Sequence, residues 1–157
     1  MRTESHRPDE DFCSEPTPLS PTLRSSTDVR PLRILCAEDD PMLGRMLVVF
    51  LSQAGYVVEH VDDGEKAWAR ISADVAWFDV LITDTQMPRM NGLTLVHRVL
   101  AAGFTGQIIV NTPGLEAGQK ELFQNCGVET FIPKLSSLEV MLAAIARHSR
   151  GKNTPTS

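Results

Sequence analysis

Residues 80–92, VLITDTQMPRMNG, combine a β-strand pattern with an acid at its end. The apolar run VLI and a β-branched threonine favour a strand, and Asp84 follows at once. The chain then turns through Met87-Pro88 and reaches an Asn-Gly pair, residues that favour turns. This pattern predicts a carboxylate held rigidly at the end of a buried strand, with the following loop folded away from it.

Outward from this stretch, short apolar strands alternate with amphipathic helices in both directions. The strands at 32–37, 79–83 and 107–111 are continuous apolar runs, which is typical of a parallel sheet covered on both faces. Alternating β and α units joined by right-handed crossovers give a doubly wound sheet. The sequence therefore predicts an α/β fold with a doubly wound five-stranded parallel sheet. The other predicted elements are strands at 56–61 and 129–133 and helices at 41–54, 65–72, 92–102, 115–125 and 137–148.

The first predicted helix begins at Pro41, where the N–H that proline lacks would be unpaired in any case. Gly55 follows it as a stop signal. Its apolar residues recur at helical spacing over a broad face, which we expect to pack on the sheet. That face comprises Met42, Leu43, Met46, Leu47, Val49 and Phe50.

Composition and charge argue against several classes of function. The net charge is −5, so there is no basic excess to displace phosphate counterions, and nucleic-acid binding is not expected. The cysteines at 13, 36 and 126 are odd in number and form no CxxC pair, so we expect buried or half-buried thiols rather than disulfides or a zinc site. No apolar run reaches membrane-spanning length and the N-terminus has no signal core, which predicts a cytoplasmic protein without membrane contact.

The 157 residues divide by composition into a domain and two tails. Residues 1–31 hold five of the ten prolines, frequent serines and threonines, and few apolar side chains. Such a segment cannot bury enough surface to offset the entropy lost on ordering, so we predict a disordered N-terminal tail. Residues 32–149 form the predicted domain, and residues 150–157 a disordered C-terminal tail.

Polar residues with complementary chemistry follow four of the predicted strands. In a doubly wound sheet the site lies at the carboxyl ends of the strands. Clustered carboxylates repel one another unless a cation joins them, and oxygen ligands without His or Cys select Mg²⁺. A carboxylate beside Mg²⁺ can attack a phosphoryl group and form an acyl phosphate, while an ammonium and a hydroxyl stabilise the transferring charge. The residues concerned are Glu38, Asp39 and Asp40 after strand one, Asp84 after strand three, Asn111 and Thr112 at the end of strand four, and Lys134 after strand five.

Four motifs at these strand ends resemble the receiver domain of two-component response regulators, in particular single-domain chemotaxis regulators. The resemblance covers residues 32–149 and implies a flavodoxin-like fold with strand order 2-1-3-4-5. The motifs are ILCAEDDP (34–41), LITDTQMPRMNG (81–92), IIVNT (108–112) and FIPK (131–134).

The resemblance also implies a role for individual residues. Asp84 would be the phosphoacceptor, with Thr112 and Lys134 as the hydroxyl and the lysine that assist phosphoryl transfer. Mg²⁺ would be the cofactor, and a two-residue switch would couple phosphorylation to partner binding. The implied metal ligands are Glu38, Asp39, Asp84 and the backbone carbonyl of Gln86, and the implied switch residues are Thr112 and Phe131.

By the same resemblance, the chain would be a response regulator receiver rather than an enzyme, and because no effector domain fits in the remaining residues, we expect it to be a stand-alone receiver. It would catalyse only its own phosphorylation and dephosphorylation. The phosphoryl group would come from a phosphohistidine of a histidine kinase or phosphotransfer protein in a Mg²⁺-dependent reaction. Output would be protein–protein contact through the face formed by helix four, strand five and helix five.

Two residues depart from the family pattern and favour an alternative, a pseudo-receiver that binds partners independently of phosphorylation. Pro113 stands where the family usually has a small residue whose N–H contacts the phosphoryl group, and proline has no N–H. Leu135 stands in place of a cis proline, and we expect a trans bond there because a non-proline cis bond costs about 3–4 kcal/mol. A phosphatase or phosphotransferase acting on small molecules is a third reading. However, AEDDP lacks the Asp-x-Asp spacing that haloacid-dehalogenase-like enzymes have after their first strand.

Overall fold

A computed structural model of the protein describes residues 30–151. The chain divides into two units, and the second begins at Pro31. The predicted N-terminal tail up to residue 29 and the predicted C-terminal tail from residue 152 lie outside the described residues. From Pro31 onward, five strands alternate with five helices over the described part of the chain. The strands are β1 (Arg33–Ala37), β2 (Val57–Val61), β3 (Val80–Thr83), β4 (Gln107–Thr112) and β5 (Thr130–Pro133), and the helices are α1 (Pro41–Gln53), α2 (Gly64–Ala73), α3 (Gly92–Ala101), α4 (Gln119–Asn125) and α5 (Leu138–Gly151).

The five strands run parallel in the order β2-β1-β3-β4-β5, which confirms the predicted flavodoxin-like sheet. The register aligns the carboxyl ends of the strands. Ala37 at the end of β1 pairs with Thr83 at the end of β3, and Thr112 at the end of β4 pairs with Pro133 at the end of β5. The residues that follow these strand ends therefore leave the sheet at one edge, where a doubly wound fold places its site.

Two apolar layers cover the sheet, one on each face. Successive residues of a strand point to opposite faces, so Leu35 and Leu81 join one layer while Cys36 and Ile82 join the other. Side chains of α2, α3 and α4 complete the first layer, and side chains of α1 and α5 complete the second. Burial on both faces explains why β1, β3 and β4 are continuous apolar runs rather than alternating ones.

The predicted apolar face of α1 is only partly correct. Leu47 is buried against the sheet, and Gly44 lies beside it, where a Cβ would clash with the His60 ring on β2. Both apolar sets of α1 recur at helical spacing, so spacing alone could not decide which set faces the sheet. The set that the structure leaves exposed is Met42 (72%), Met46 (42%), Val49 (51%) and Phe50 (38%).

The predicted start of α4 is wrong by four residues. A helix was expected over 115–125, but α4 begins at Gln119. Gly118 precedes it with a φ of +84°, a left-handed conformation that interrupts a helix and suits glycine. Leu115 lies in the connecting loop and packs partly against the first apolar layer.

The remaining element ends agree with the predicted ones within three residues. The largest difference is in α5, which extends through Gly151, two residues into the predicted C-terminal tail. Peptide bonds among the described residues are all trans, as expected for Lys134–Leu135. Between residues 30 and 151, no helix combines the length and apolar character needed to cross a bilayer.

Two of the three cysteines fall in the described residues, and both are free thiols. Cys36 is fully buried in β1. Burial, with a smaller contribution from the Glu38 carboxylate, raises the pKa of the Cys36 thiol to about 12. Cys126 is half-buried at the end of α4, and Cys13 lies outside the described residues. A buried thiol that stays protonated is unreactive, which agrees with the predicted structural role of Cys36.

Candidate functional site

The loop after β3 holds Asp84 at the carboxyl edge of the sheet by folding back over the strand end. The Gly92 N–H donates to the Thr85 carbonyl at 3.0 Å. A Cβ at Gly92 would lie 2.0 Å from the Asp84 carbonyl oxygen, so this close approach requires glycine. Asn91 then caps α3 by accepting from the Thr94 N–H at 2.9 Å. The backbone is thereby turned away, and the Asp84 carboxylate remains at the sheet edge.

Three carboxylates from the ends of β1 and β3 converge at this edge. Glu38 and Asp84 are buried, and Asp39 is exposed. One carboxylate oxygen of each lies within 4.8 Å of the others. A compact group of oxygen ligands with solvent access fits Mg²⁺, which binds through one or two carboxylates and keeps several waters. The structure therefore brings together the three predicted carboxylate ligands in an arrangement that suits a hard divalent cation.

Lys134 brings the opposite charge to the same point. Its Nζ donates to Asp84 Oδ2 at 2.6 Å and to Glu38 Oε1 at 2.8 Å, across 50 and 96 positions of sequence. Burial acts to lower the pKa of Lys134, but its hydrogen bonds to Asp84 and Glu38 outweigh burial and raise that pKa. Burial also raises the pKa of Glu38, and the contacts with Lys134 offset only part of that increase. The single ammonium of Lys134 contacts two buried carboxylates, so one negative charge is left that a cation would balance.

Asp40 caps a helix, unlike Glu38 and Asp39 before it. Its carboxylate accepts from the Met42 N–H at 2.8 Å and the Leu43 N–H at 3.2 Å, which caps α1. The Asp40 N–H donates to Glu38 Oε1 at 3.1 Å and orients that carboxylate. Of three consecutive acids, two therefore join the site and the third starts the helix.

Thr112 is buried beside Asp84, and its hydroxyl already has partners. Thr112 Oγ1 donates to the Gly114 carbonyl at 2.9 Å. Thr85, which no sequence pattern singled out, connects Thr112 to Asp84, because Thr85 Oγ1 lies 3.1 Å from Thr112 Oγ1 and 3.4 Å from Asp84 Oδ1. The Thr85 N–H also donates to Asp84 Oδ1 at 2.6 Å. The signal that could have identified Thr85 is a hydroxyl residue directly after the acid.

The two remaining predicted residues, Phe131 and Gln86, lie on β5 and in the loop after β3. Phe131 is half-buried on β5, with its ring edge-on to Phe123 of α4 at a centroid distance of 6.2 Å. Lys120 Nζ lies 5.5 Å from the centre of the Phe131 ring. Gln86 lies in the exposed loop two residues after Asp84, and its carbonyl stays a predicted metal ligand.

Asp63, a further buried acid, fixes the loop that follows Asp84. It caps α2 by accepting from the Lys66 N–H at 2.8 Å and forms an ion pair with Arg89 in that loop. Burial acts to raise the pKa of Asp63, but the hydrogen bonds from Arg89 and the Lys66 N–H outweigh burial and hold the pKa below its usual value. An acid directly before a glycine and a predicted helix was the signal for this cap.

Comparisons with known proteins point to one family. A family model described as the response regulator receiver domain matches residues 34–146. The response regulator receiver protein CpdR of Brucella abortus is 46% identical over 66 residues, which cover 42% of this chain and 53% of that protein. The response regulator MprA of Mycobacterium leprae is 32% identical over 114 residues, which cover 73% of this chain and 49% of that protein. The chain spans about half the length of these relatives.

The solved structures include one of a chemotaxis protein with the same fold. CheY4 of Vibrio cholerae matches with a TM-score of 0.68 at 28% identity, over 75% of this chain and 98% of that chain. The match covers nearly all of that chain.

Proposed function

Because the chain belongs to the family of response regulator receiver domains, we propose that it accepts a phosphoryl group on Asp84 and signals by protein–protein contact. The donor is a phosphohistidine of a histidine kinase or a phosphotransfer protein. An Asp84 carboxylate oxygen forms a bond to phosphorus, the phosphorus–nitrogen bond of the donor breaks, and its electron pair goes to the imidazole nitrogen. The products are an acyl phosphate on Asp84 and a free histidine. In this proposal the chain catalyses only its own phosphorylation and dephosphorylation.

The observation that carries the proposal is the position of Lys134 Nζ, 2.6 Å from Asp84 Oδ2 and 2.8 Å from Glu38 Oε1. From there the ammonium can stay beside the phosphoryl oxygens while their charge redistributes during transfer. The raised pKa of Lys134 supports a side chain that is charged at neutral pH. Thr112 can contribute a further hydrogen bond if its hydroxyl exchanges the Gly114 carbonyl for a phosphoryl oxygen.

Glu38, Asp39, Asp84 and the Gln86 carbonyl are the proposed ligands of Mg²⁺. When bound, Mg²⁺ would neutralise part of the charge on the carboxylates and on the incoming phosphoryl group. The loop that carries Glu38 is supported by two contacts. The Asp40 N–H donates to Glu38 Oε1 at 3.1 Å, and His60 Nε2 lies 2.7 Å from the Glu38 carbonyl oxygen.

We further propose that the receiver is cytoplasmic and sends its output through α4, β5 and α5. β5 is an edge strand of the sheet, and a cleft of about 610 Å³ runs beside it, lined in part by Phe131, Val140 and Arg147. Val140 on α5 and Leu122 on α4 are about half exposed, which suits contact with a protein partner. The affinity of a partner for this face would depend on the position of the Phe131 side chain. Phosphorylation, acting through Thr112, would shift the populations of the Phe131 positions.

Phosphorylation can be tested with acetyl phosphate as a small phosphoryl donor. The protein should gain one phosphate in its intact mass when Mg²⁺ is present and none when EDTA replaces it. Asp84→Asn, which keeps the size of the side chain, should stay unmodified. If the native protein gains no phosphate while a known receiver does so in parallel, the proposal is wrong.

The same variant separates this proposal from the pseudo-receiver. A receiver should bind its partner differently with and without phosphate, and Asp84→Asn should abolish that difference. A pseudo-receiver, which Pro113 and Leu135 favour, should bind its partner with the same affinity in the native protein and in Asp84→Asn.

A further inference from the structure

The groups near Asp84 on the β4 side already use their hydrogens, so a new ligand there must displace an existing hydrogen bond. The single hydrogen of the Thr112 hydroxyl goes to the Gly114 carbonyl at 2.9 Å. Pro113 has no N–H. The Gly114 N–H points back to Thr112 Oγ1 at 3.4 Å. Along residues 112–114, each donor is therefore either engaged within the segment or missing.

Thr85, on the β3 side, supplies a hydroxyl that can change its partner. The residue is 7% exposed, so its hydroxyl depends on protein partners or a bound ligand. Because the Thr112 hydrogen is engaged with Gly114, only the Thr85 hydrogen can join the two hydroxyls, across an Oγ1–Oγ1 distance of 3.1 Å. The same Thr85 hydroxyl can instead donate to Asp84 Oδ1 at 3.4 Å. Rotation about its Cβ–Oγ bond would turn this hydrogen towards Asp84 and leave the Thr112–Gly114 bond intact.

We propose that Thr85 is a further phosphoryl-contacting residue, whose hydroxyl donates to the phosphoryl group on Asp84 in place of the N–H that Pro113 lacks. This inference rests on the proposed function of Asp84. The hydrogen stays on Thr85, and the new interaction is a hydrogen bond to a phosphoryl oxygen. A hydrogen bond to a charged oxygen is stronger than one between two neutral hydroxyls, so phosphorylation favours the exchange of partners.

The test compares variants that remove or keep the Thr85 hydroxyl in the 157-residue chain. Thr85→Val removes the hydroxyl at nearly constant shape, Thr85→Ala removes it without β-branching, and Thr85→Ser keeps it. Thr83→Val is the matched control, because Thr83 is also buried but donates to the backbone carbonyl of Asp84 at 2.9 Å. The rate of phosphorylation by acetyl phosphate in Mg²⁺ is measured for each variant, with thermal melting as the check on folding.

We expect Thr85→Val and Thr85→Ala to slow phosphorylation about tenfold or more, which is typical of losing a hydrogen bond to a charged group. Thr85→Ser and Thr83→Val should stay within about threefold of the native rate, because both keep the Thr85 hydroxyl.

The decisive variant is Thr85→Val combined with Pro113→Ala, which restores an N–H at position 113. If Thr85 replaces that N–H, the double variant should recover most of the lost rate, whereas a purely structural role of Thr85 predicts no recovery. A native rate in both hydroxyl-free variants, or no recovery in the double variant, would overturn the inference about Thr85. Failure of the native protein to react would instead overturn the proposed function of Asp84.

Discussion

At the scale of single residues, the site is governed by charge. Glu38 and Asp84 are buried and share the ammonium of Lys134, and Asp39 adds a third carboxylate within 4.8 Å on the exposed side. Like charges at this separation repel strongly where water is excluded, and a divalent cation offsets the repulsion. Asp39 and Asp40 are adjacent and both exposed, but only Asp39 belongs to the carboxylate group. They therefore form a matched pair for identifying the metal ligands.

We predict that Asp39→Asn weakens Mg²⁺ binding by about tenfold or more, equivalent to about 1.4 kcal/mol, because it removes a charged ligand. Asp40→Asn should change the affinity by less than about threefold, since asparagine still caps a helix. Calorimetric titration of both variants with magnesium chloride measures the difference. Equal affinities for the two variants would exclude Asp39 as a ligand.

The pH dependence of stability should reflect Asp63. Burial opposes its ionisation, but Arg89 and the Lys66 N–H lower its pKa in the folded state. The ionised carboxylate therefore contributes stability above its unfolded pKa, and this contribution is lost as the pH falls through the folded pKa. Asp63→Ala should lower the free energy of unfolding at neutral pH by about 0.5–2 kcal/mol through loss of the α2 cap. The difference in the free energy of unfolding between the native protein and Asp63→Ala should decrease as the pH is lowered.

Urea unfolding over a series of pH values checks this expectation. Asp62→Ala is the control, because Asp62 is the exposed neighbour and should cause a much smaller loss. If the loss of unfolding free energy in Asp63→Ala stays constant down to acid pH, ionisation of Asp63 does not stabilise the fold.

At the scale of elements, the type of each element followed from local pattern, whereas some ends and faces did not. β3 and α3 were predicted to within one residue because an apolar run and an Asn-Gly cap mark their ends. In α1 two apolar sets share the same spacing, and only contact with the sheet decides which one is buried. In α4 the left-handed Gly118 delays the helix start, and a sequence pattern does not report the sign of φ.

The short helix α4 should depend on one anchor. Phe123 is 2% exposed and meets Phe131 edge-on, whereas the neighbouring Leu122 is 50% exposed. We predict that Phe123→Ala lowers the free energy of unfolding by about 3–5 kcal/mol, and Leu122→Ala by no more than about 0.5 kcal/mol. Urea unfolding measures both losses. Amide exchange in α4 and β5 should also increase for Phe123→Ala, and similar losses for both variants would refute the anchoring role.

At the scale of the whole molecule, strand order and register create the site. The pairing of Ala37 with Thr83 places Glu38 and Asp84 side by side, and β5 beyond β4 brings in Lys134. Continuous apolar runs were enough to predict a parallel sheet, but its order followed from the family resemblance, because periodicity allows several orders. The contact between the hydroxyls of Thr85 and Thr112 is a tertiary one between the ends of β3 and β4, so the position of Thr85 after the acid could suggest the residue but not its partner.

The domain should fold without the residues before Pro31. All described residues of the two apolar layers lie after this point, and the composition of residues 1–31 predicts a disordered segment. We therefore expect a shortened protein that begins at Pro31 to keep the melting temperature of the full chain. Circular dichroism of both proteins during heating measures this. A clearly lower melting temperature for the shortened protein would show that the preceding residues stabilise the domain.

The central claim is that Asp84, held beside Lys134 and two further carboxylates, is the residue that carries the phosphoryl group. Borohydride reduces an acyl phosphate to an alcohol, so treatment after reaction with acetyl phosphate and Mg²⁺ converts a phosphorylated aspartate to homoserine. Peptide mass spectrometry then identifies the modified position. We predict homoserine at position 84 and aspartate retained at positions 39 and 40. Homoserine at another position, or at none, would contradict the account.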